Sequence, residues 1–225
     1  MTLLATLLLG FFLGIRHATD ADHVVAVSTI VGREPSRRGA LWIGAAWGVG
    51  HTATILAVGG AIVVFNLVIP ARLGLSMELT VAVMLVVLGL LNLRSAVQRL
   101  DEVTGHVAHP PPLSGHRYLR PLVVGVMHGL AGSAAIALLV LGTVREPLWG
   151  FLYLGLFGVG TVVGMMVLTT AMSVPLAHAS RRFASFDRLL ARATGVLSLA
   201  FGLYLAYRVG FVDGLFTSRP AWTPQ

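Results

Sequence analysis

The densest polar feature of the sequence is the stretch from Arg16 to His23, which has apolar sequence on both sides. Besides those two residues, its ionisable side chains are His17, Asp20 and Asp22. A charge at membrane depth costs several kcal/mol unless it is paired or hydrated, so such residues mark functional sites. Imidazole and carboxylate groups without sulfur suit a borderline divalent ion such as nickel, cobalt or zinc. Magnesium and calcium prefer all-oxygen ligands.

The spacing of these side chains predicts an interrupted helix. Each residue of a regular helix advances by about 100°, so His17 and Asp20 lie about 60° apart, as do Asp20 and His23. Asp22 points about 140° away from His17, so all four side chains converge only if the helix unwinds. Irregular backbone is tolerated within a membrane where it lines a cavity. Because the preceding apolar run is too short to span a bilayer, we expect the first helix to be broken at 16–23.

Further candidate residues lie in other apolar segments. His51 lies in the middle of the second segment beside Thr52, and His128 lies in the fourth, shortly before Ser133. A single histidine in an apolar helix is more often a packed, hydrogen-bonded residue than a ligand, and that interpretation stays open. Because intramembrane ionisable residues indicate function, we expect His51 to bind metal and His128, Thr52 and Ser133 to line its path.

The composition excludes a soluble globule and a disordered chain. Of 225 residues, 56% are hydrophobic and 11% are charged, whereas soluble domains carry about 25% charged residues. The absence of cysteine excludes disulfides and thiolate ligands. The net charge is +7 and every basic residue is arginine, but no basic stripe with interleaved aromatic residues indicates nucleic-acid binding.

Six apolar segments predict an all-α membrane protein with about six transmembrane helices. The longest loop, Arg94 to Arg120, is polar and proline-rich, so we expect it to be irregular. Its His106, His109 and His116 either collect metal or are simply solvated. A cleaved signal peptide is the alternative for the first segment, which lacks a basic n-region. The segments are Thr2–Val31, Gly39–Ile69, Leu79–Leu93, Pro121–Val144, Pro147–Ala177 and Leu189–Val212.

The distribution of arginine predicts the orientation. The loops after the first, third and fifth segments are rich in arginine, whereas the opposite side carries only Arg72, Arg145, Arg208 and Arg219. Cytoplasmic loops carry the excess of positive charge. We therefore expect a multi-pass protein of the cytoplasmic membrane, surrounded by lipid, with both termini outside.

Two short motifs recur in the two halves of the chain. Gly14-Ile15-Arg16-His17 matches Gly125-Val126-Met127-His128, and Gly48-Val49-Gly50-His51 matches Gly158-Val159-Gly160-Thr161. An odd number of spans per repeat inverts the second copy, which is an architecture of secondary transporters. The predicted organisation is a first three-helix repeat with the metal motif (1–100), a cytoplasmic His/Pro-rich loop (101–119), a second three-helix repeat (120–212) and a tail (213–225).

These motifs resemble those of a known family. The His-x4-Asp-His pattern of His17, Asp22 and His23 resembles the signature of the nickel/cobalt transporter (NiCoT) family, and Gly50-His51-Thr52 resembles its second histidine motif. The run 127–135 is similar to the shorter, urease-accessory-type nickel permeases. The resemblance covers about Gly10 to Gly210.

The resemblance implies uptake of Ni²⁺ or Co²⁺ as transported substrate, with His17, Asp20, Asp22 and His23 in metal recognition and His51 assisting. It implies no prosthetic group and no enzymatic activity. The chain departs from longer members because it lacks their extra first helix and their acidic motif in the second half. Ala131, Ser133 and Ala134 stand where the repeat would place Asp20, Asp22 and His23.

Other functions stay open from the sequence. Three histidines and an aspartate around zinc could activate water in an intramembrane hydrolase. Relatives that export metal exist, and a helper subunit that scaffolds a cytoplasmic metallochaperone would show no transport alone. Energy coupling and oligomeric state also stay open. Removal of the Asp20 or His17 side chain is expected to abolish accumulation if the protein is a transporter.

Overall fold

The computed structural model describes residues 3–32, 34, 36–65, 69–104, 118–130, 146–182 and 186–222. Within these ranges the chain forms helices and no strand, so the predicted all-α class is confirmed. The last helix continues as one π-helical turn, Arg208–Val212. The helices are α1 (Leu3–His17), α2 (Ala21–Val31), α3 (Arg37–Phe65), α4 (Ala71–Thr104), α5 (Leu119–His128), α6 (Pro147–Arg182) and α7 (Phe186–Tyr207).

Four of these helices are long and apolar enough to cross a membrane, namely α3, α4, α6 and α7. The other three described helices are shorter apolar segments, and α1 and α2 together occupy the predicted first span. Large apolar side chains face outward along the bundle, as lipid contact requires. Examples are Phe12, Trp42, Val83, Val167 and Leu203.

The structure corrects two segment boundaries. The third segment is longer than predicted, because α4 begins at Ala71 and continues to Thr104. The prediction of an irregular loop is therefore wrong for residues 94–104, whose arginine, glutamine, leucine and alanine are good helix formers. The fourth segment is helical only from Leu119 to His128 within the described residues. Ser133, His106, His109 and His116 lie outside the described residues.

The helices pack in pairs through glycine. Helix α1 packs against α6, α5 against α3, and α4 against α7, while α3 and α6 share a long interface. A Cβ atom on Gly125 of α5 would collide with the carbonyl oxygen of Trp47 in α3. A Cβ atom on Gly160 of α6 would collide with the carbonyl oxygen of Phe11 in α1. Small residues at these positions let the helix backbones approach closely, which is how membrane helices gain packing contacts.

Helix α2 forms part of the buried core. It contacts α4, α6 and α7, and its valines and alanine pack against side chains of α3, α4 and α6. The buried core residues of α2 are Val25, Ala26, Val27 and Val31. The polar end of this helix is therefore held within the bundle by its apolar remainder.

The glycine contacts predict a position-dependent effect of alanine. Gly160→Ala should lower the free energy of unfolding by about 1–3 kcal/mol, because the added methyl group overpacks the interface of α6 with α1. Gly155→Ala, on the same helix, meets no atom within 4 Å and should be neutral or stabilising, since alanine favours helix. Melting temperatures of the two purified variants in detergent test this. Equal melting temperatures would contradict the packing described.

Candidate metal centre

The predicted helix break lies between His17 and Ala21. Helix α1 closes with tighter turns, in which the backbone N–H of Thr19 donates to the carbonyl of Arg16 (2.9 Å) and that of Asp20 donates to the carbonyl of His17 (3.1 Å). The Thr19 hydroxyl donates to the same Arg16 carbonyl (2.6 Å). Asp20 then adopts an extended conformation (φ −61°, ψ 150°), and α2 begins at the next residue.

Asp20 occupies the N-cap position of α2, but its side chain makes no capping hydrogen bond. Aspartate at this position ordinarily accepts from a backbone N–H of the first turn. Here the carboxylate instead accepts from Nδ1 of His17 at 2.9 Å. Asp22, in the first turn, accepts from the backbone N–H of His23 (3.0 Å). Both carboxylates lie at the N-terminal end of α2, where the helix dipole favours negative charge.

The break brings four histidines and one aspartate together. Nε2 of His17 lies 2.9 Å from Nε2 of His51. The two carboxylate oxygens of Asp22 contact different histidines, with Nδ1 of His23 at 3.2 Å from Oδ1 and Nε2 of His128 at 2.8 Å from Oδ2. Two groups of potential metal ligands result, His17–His23–His51 and Asp22–His23–His128, each with its ligand atoms within 4.8 Å of one another. His23 belongs to both groups.

The histidines of the cluster are buried, and some of their nitrogen atoms have no hydrogen-bond partner. His23, His51 and His128 are 0% exposed and His17 is 5% exposed. In the described part of the chain, Nε2 of His23, Nδ1 of His51 and Nδ1 of His128 are buried without a partner. An unsatisfied buried polar group costs about 1–3 kcal/mol. Neutral imidazole nitrogen is a preferred ligand of borderline divalent ions, so the donor set fits a metal ion.

Aromatic rings enclose the histidines. The ring of Trp47 lies 5.6 Å from that of His128 and 6.3 Å from that of His23. The ring of Phe157 lies 5.5 Å from that of His17. Trp47 is not among the residues predicted from the sequence, although it precedes His51 by one helical turn and therefore shares its face.

The predicted site residues have four different outcomes. His17, Asp22, His23 and His51 converge, and His128 joins them. Asp20 lies outside both ligand groups, and its side chain is 43% exposed, but it contacts His17. Thr52 faces elsewhere, because its hydroxyl donates to the carbonyl of Gly158 at 3.1 Å. Ser133 lies outside the described residues.

A cavity of about 430 Å³ reaches the cluster from one end of the bundle. His17, Asp20 and Asp22 line its inner wall, and Glu78 of α4 lines it together with Arg208, which follows α7. Glu78 is likewise not among the residues predicted from the sequence, although an acidic residue within an apolar span is a signal of function. The cavity thus reaches His17 and Asp22 of the cluster and the neighbouring Asp20.

The fold and this cluster together define a class of protein. Apolar helices enclose a discontinuous helix, and ionisable residues converge at its break; this arrangement is characteristic of membrane transporters with a binding site within the bundle.

Comparison with known proteins identifies the family. The chain is 37% identical over 219 residues to the urease accessory protein UreH of Bacillus sp. (strain TB-90), covering 95% of this chain and 96% of that protein. The chain therefore belongs to the UreH family, the short urease-accessory branch of the nickel/cobalt transporters that its motifs resemble, and it is a transporter rather than an enzyme. No protein-family model matches the chain, and no solved structure matches it.

The shared position of His23 predicts a ranking of histidine variants. His23→Ala removes a ligand from both groups and should weaken Ni²⁺ binding more than His17→Ala or His128→Ala, each of which removes a ligand from one group. We expect a loss of at least about 100-fold for His23→Ala, beyond the 10–100-fold typical of groups that only orient ligands. Isothermal titration calorimetry of the purified variants in detergent measures this.

A matched control accompanies this series. His178 is an exposed histidine of α6 and belongs to neither ligand group, so His178→Ala should bind as the unmodified protein does. If His23→Ala retained unmodified affinity, or if all four variants lost affinity equally, the shared role of His23 would be refuted.

Proposed function

We propose that this protein is a secondary transporter that takes up Ni²⁺ or Co²⁺ across the cytoplasmic membrane. The observation that carries the proposal is the buried cluster of His17, Asp22, His23, His51 and His128, which is reached through a cavity from one end of the bundle. The name of the relative, urease accessory protein, supports nickel-related transport in the service of a urease.

The chemistry of the cluster favours these ions as substrate. An arriving ion sheds water and gains imidazole and carboxylate ligands, a donor set that suits nickel, cobalt and zinc. The aromatic rings of Trp47 and Phe157 pack beside His17, His23 and His128 and add apolar surface to the wall of the cluster. Burial lowers the local dielectric constant and so strengthens the electrostatic attraction between the ion and Asp22.

In this proposal the first and last three spans are inverted repeats that rock around the cluster. Packing at equivalent positions supports it. Gly125 lies against the carbonyl oxygen of Trp47, and Gly14 lies against that of Phe157. In the sequence repeat Gly14 corresponds to Gly125, and Trp47 corresponds to Phe157. The same contact is therefore made twice with the halves exchanged, as a pseudo-two-fold axis requires.

The cavity supports the direction of transport. It lies at the end of the bundle where α4 begins and α7 ends, with Glu78 and Arg208 in its wall. The arginine distribution assigns this end to the outside. An ion from outside would therefore meet Asp20 and His17 before the more deeply buried residues of the cluster, and it would leave inward after the halves rock. Both termini are outside in this orientation, and an inward-released ion could pass to a cytoplasmic metallochaperone.

Transport into proteoliposomes tests the function. Purified protein is reconstituted, and Ni²⁺ uptake is followed with Co²⁺ or Zn²⁺ as competitor, with and without a pH gradient. Saturable movement of nickel or cobalt is expected, and a dependence on the gradient would identify protons as the driving ion. If no ion moves while metal remains tightly bound, the protein is a helper subunit and the proposal is wrong.

Single substitutions connect this transport to the cluster. His17→Ala or Asp20→Ala should reduce nickel accumulation at least tenfold. Loss of a group that orients a metal ligand typically lowers metal affinity or activity about 10–100-fold. His178→Ala, which alters an exposed histidine away from the cluster, should transport normally. The proposal would be contradicted if His17→Ala and Asp20→Ala both accumulated nickel like the unmodified protein. In intact cells, a lower nickel content upon expression would indicate export instead of uptake.

A further inference from the structure

Glu78 is an acidic residue placed within the apolar span Ala71–Ala96 of α4. Its side chain lines the same cavity as Asp20 and Asp22 but belongs to neither ligand group of the cluster. Keeping a carboxylate at membrane depth costs several kcal/mol unless it is paired or hydrated. The packing of α4 against α7 does not need this carboxylate, since glycine contacts and other polar groups hold that interface.

The segment that follows α7 holds Glu78 in place. Nε1 of Trp222 donates to Oε1 of Glu78 at 2.8 Å, and the indole ring covers Gly74 one turn earlier on α4. The segment itself folds back through Gly214, whose positive φ of 85° favours glycine. The backbone N–H of Ala221 then donates to the carbonyl of Asp213 at 2.9 Å. The carboxylate is therefore oriented beside the cavity by a built contact.

Glu78 also adds an acidic group to the cavity. The wall holds the carboxyl groups of Asp20, Asp22 and Glu78 and the guanidinium groups of Arg16 and Arg208. The Arg208 guanidinium lies 3.7 Å from the Asp213 carboxylate, so one of the two positive charges is paired with an acidic residue outside the wall. Clefts of one sign concentrate oppositely charged ligands and raise association rates by about 10–10³-fold.

We propose that Glu78 is a capture residue for the transported ion: it holds the hydrated divalent cation in the cavity before the ion reaches the histidine cluster. A water bound to the ion donates a hydrogen bond to the carboxylate, so the ion keeps its hydration shell at this stage. Trp222 is a positioning residue that orients the carboxylate. The inference rests on the proposed function for the role of the ion as substrate, but capture is measurable without transport.

The rate of metal binding tests capture directly. Stopped-flow quenching of tryptophan fluorescence follows Ni²⁺ binding to the purified protein in detergent at low salt. Glu78→Gln should lower the association rate constant by about three- to tenfold, while the dissociation rate constant and the stoichiometry stay unchanged. Added salt should reduce the difference, because screening weakens the field of the cavity. An unchanged association rate constant, or a loss confined to dissociation, would overturn the proposal.

Glu146→Gln is the matched control. Glu146 is exposed, precedes α6 and is outside the cavity wall. The substitution Glu146→Gln therefore removes the same charge as Glu78→Gln without changing the cavity. Its association rate constant should equal that of the unmodified protein. An equal loss in both variants would mean that overall charge, and not Glu78, attracts the ion. Equal melting temperatures of the variants exclude a folding defect as the cause.

A double-mutant cycle tests the role of Trp222. Trp222→Phe keeps an aromatic ring over Gly74 but removes the N–H that donates to Glu78. Trp222→Phe should lower the association rate constant for Ni²⁺, but by less than Glu78→Gln does. The double variant should bind no more slowly than Glu78→Gln alone, since the carboxylate that Trp222 orients is already absent from that variant. Additive effects would overturn the positioning role.

Proteoliposomes separate this inference from the proposed function. If the protein transports, Glu78→Gln should raise the KM for Ni²⁺ about three- to tenfold and leave the maximal rate unchanged. If the unmodified protein binds Ni²⁺ but moves none, the proposed function fails while the association rates still decide capture. If it binds no Ni²⁺, both are wrong.

Discussion

The arrangement of the site depends on how one buried carboxylate is held. Asp22 contacts His23 through one oxygen and His128 through the other, at 3.2 Å and 2.8 Å. An isolated carboxylate in an apolar interior is strongly unfavourable, and hydrogen bonds to an ionised group are the stronger kind that can offset this cost. Because His23 is its neighbour in sequence while His128 is 106 residues away, the same interaction joins the two halves of the chain. The break before Ala21 is required for a different contact set: on one regular helix His17 and Asp22 would point about 140° apart, and the break lets both join the cluster.

The glycine interfaces bring the histidines close enough to share a ligand. Helices α3 and α5, which carry His51 and His128, approach each other through Gly125, and α1, which carries His17, approaches α6 through Gly14. A Cβ atom on either glycine would collide with the opposing backbone. In a bilayer the hydrophobic effect does not drive helices together, and close packing has to supply the association energy. The same contacts therefore stabilise the bundle and set the size of the candidate metal site.

Much of this could be predicted from residue types and their spacing. Hydrophobic length predicts the all-α class, and the incompatible directions of His17 and Asp22 on one helix predict the break. The sequence could not predict which carboxylate faces the cluster, because this depends on the extended backbone of Asp20, which directs its own side chain toward His17. The continuation of α4 to Thr104 was missed because polar sequence was interpreted as a loop despite its helix propensity.

The cavity was outside the reach of sequence reasoning for a different reason. Its wall combines Glu78 of α4 with residues beside the helix break and after α7, and such a surface exists only once distant segments pack. The orientation of Glu78 by Trp222, 144 residues later, is likewise a tertiary contact without a local signal. The available signal in the sequence was the position of Glu78 within an apolar span, since ionisable residues in such spans indicate function.

X-ray absorption spectroscopy of the purified, nickel-loaded protein tests the central claim most directly. If the histidine cluster binds the ion, the nickel edge should show a shell of nitrogen and oxygen ligands without sulfur. The multiple-scattering pattern of at least two imidazole rings should accompany it, and His23→Ala should change that pattern. A shell of oxygen alone, without imidazole scattering, would contradict the assignment of the cluster as the metal site.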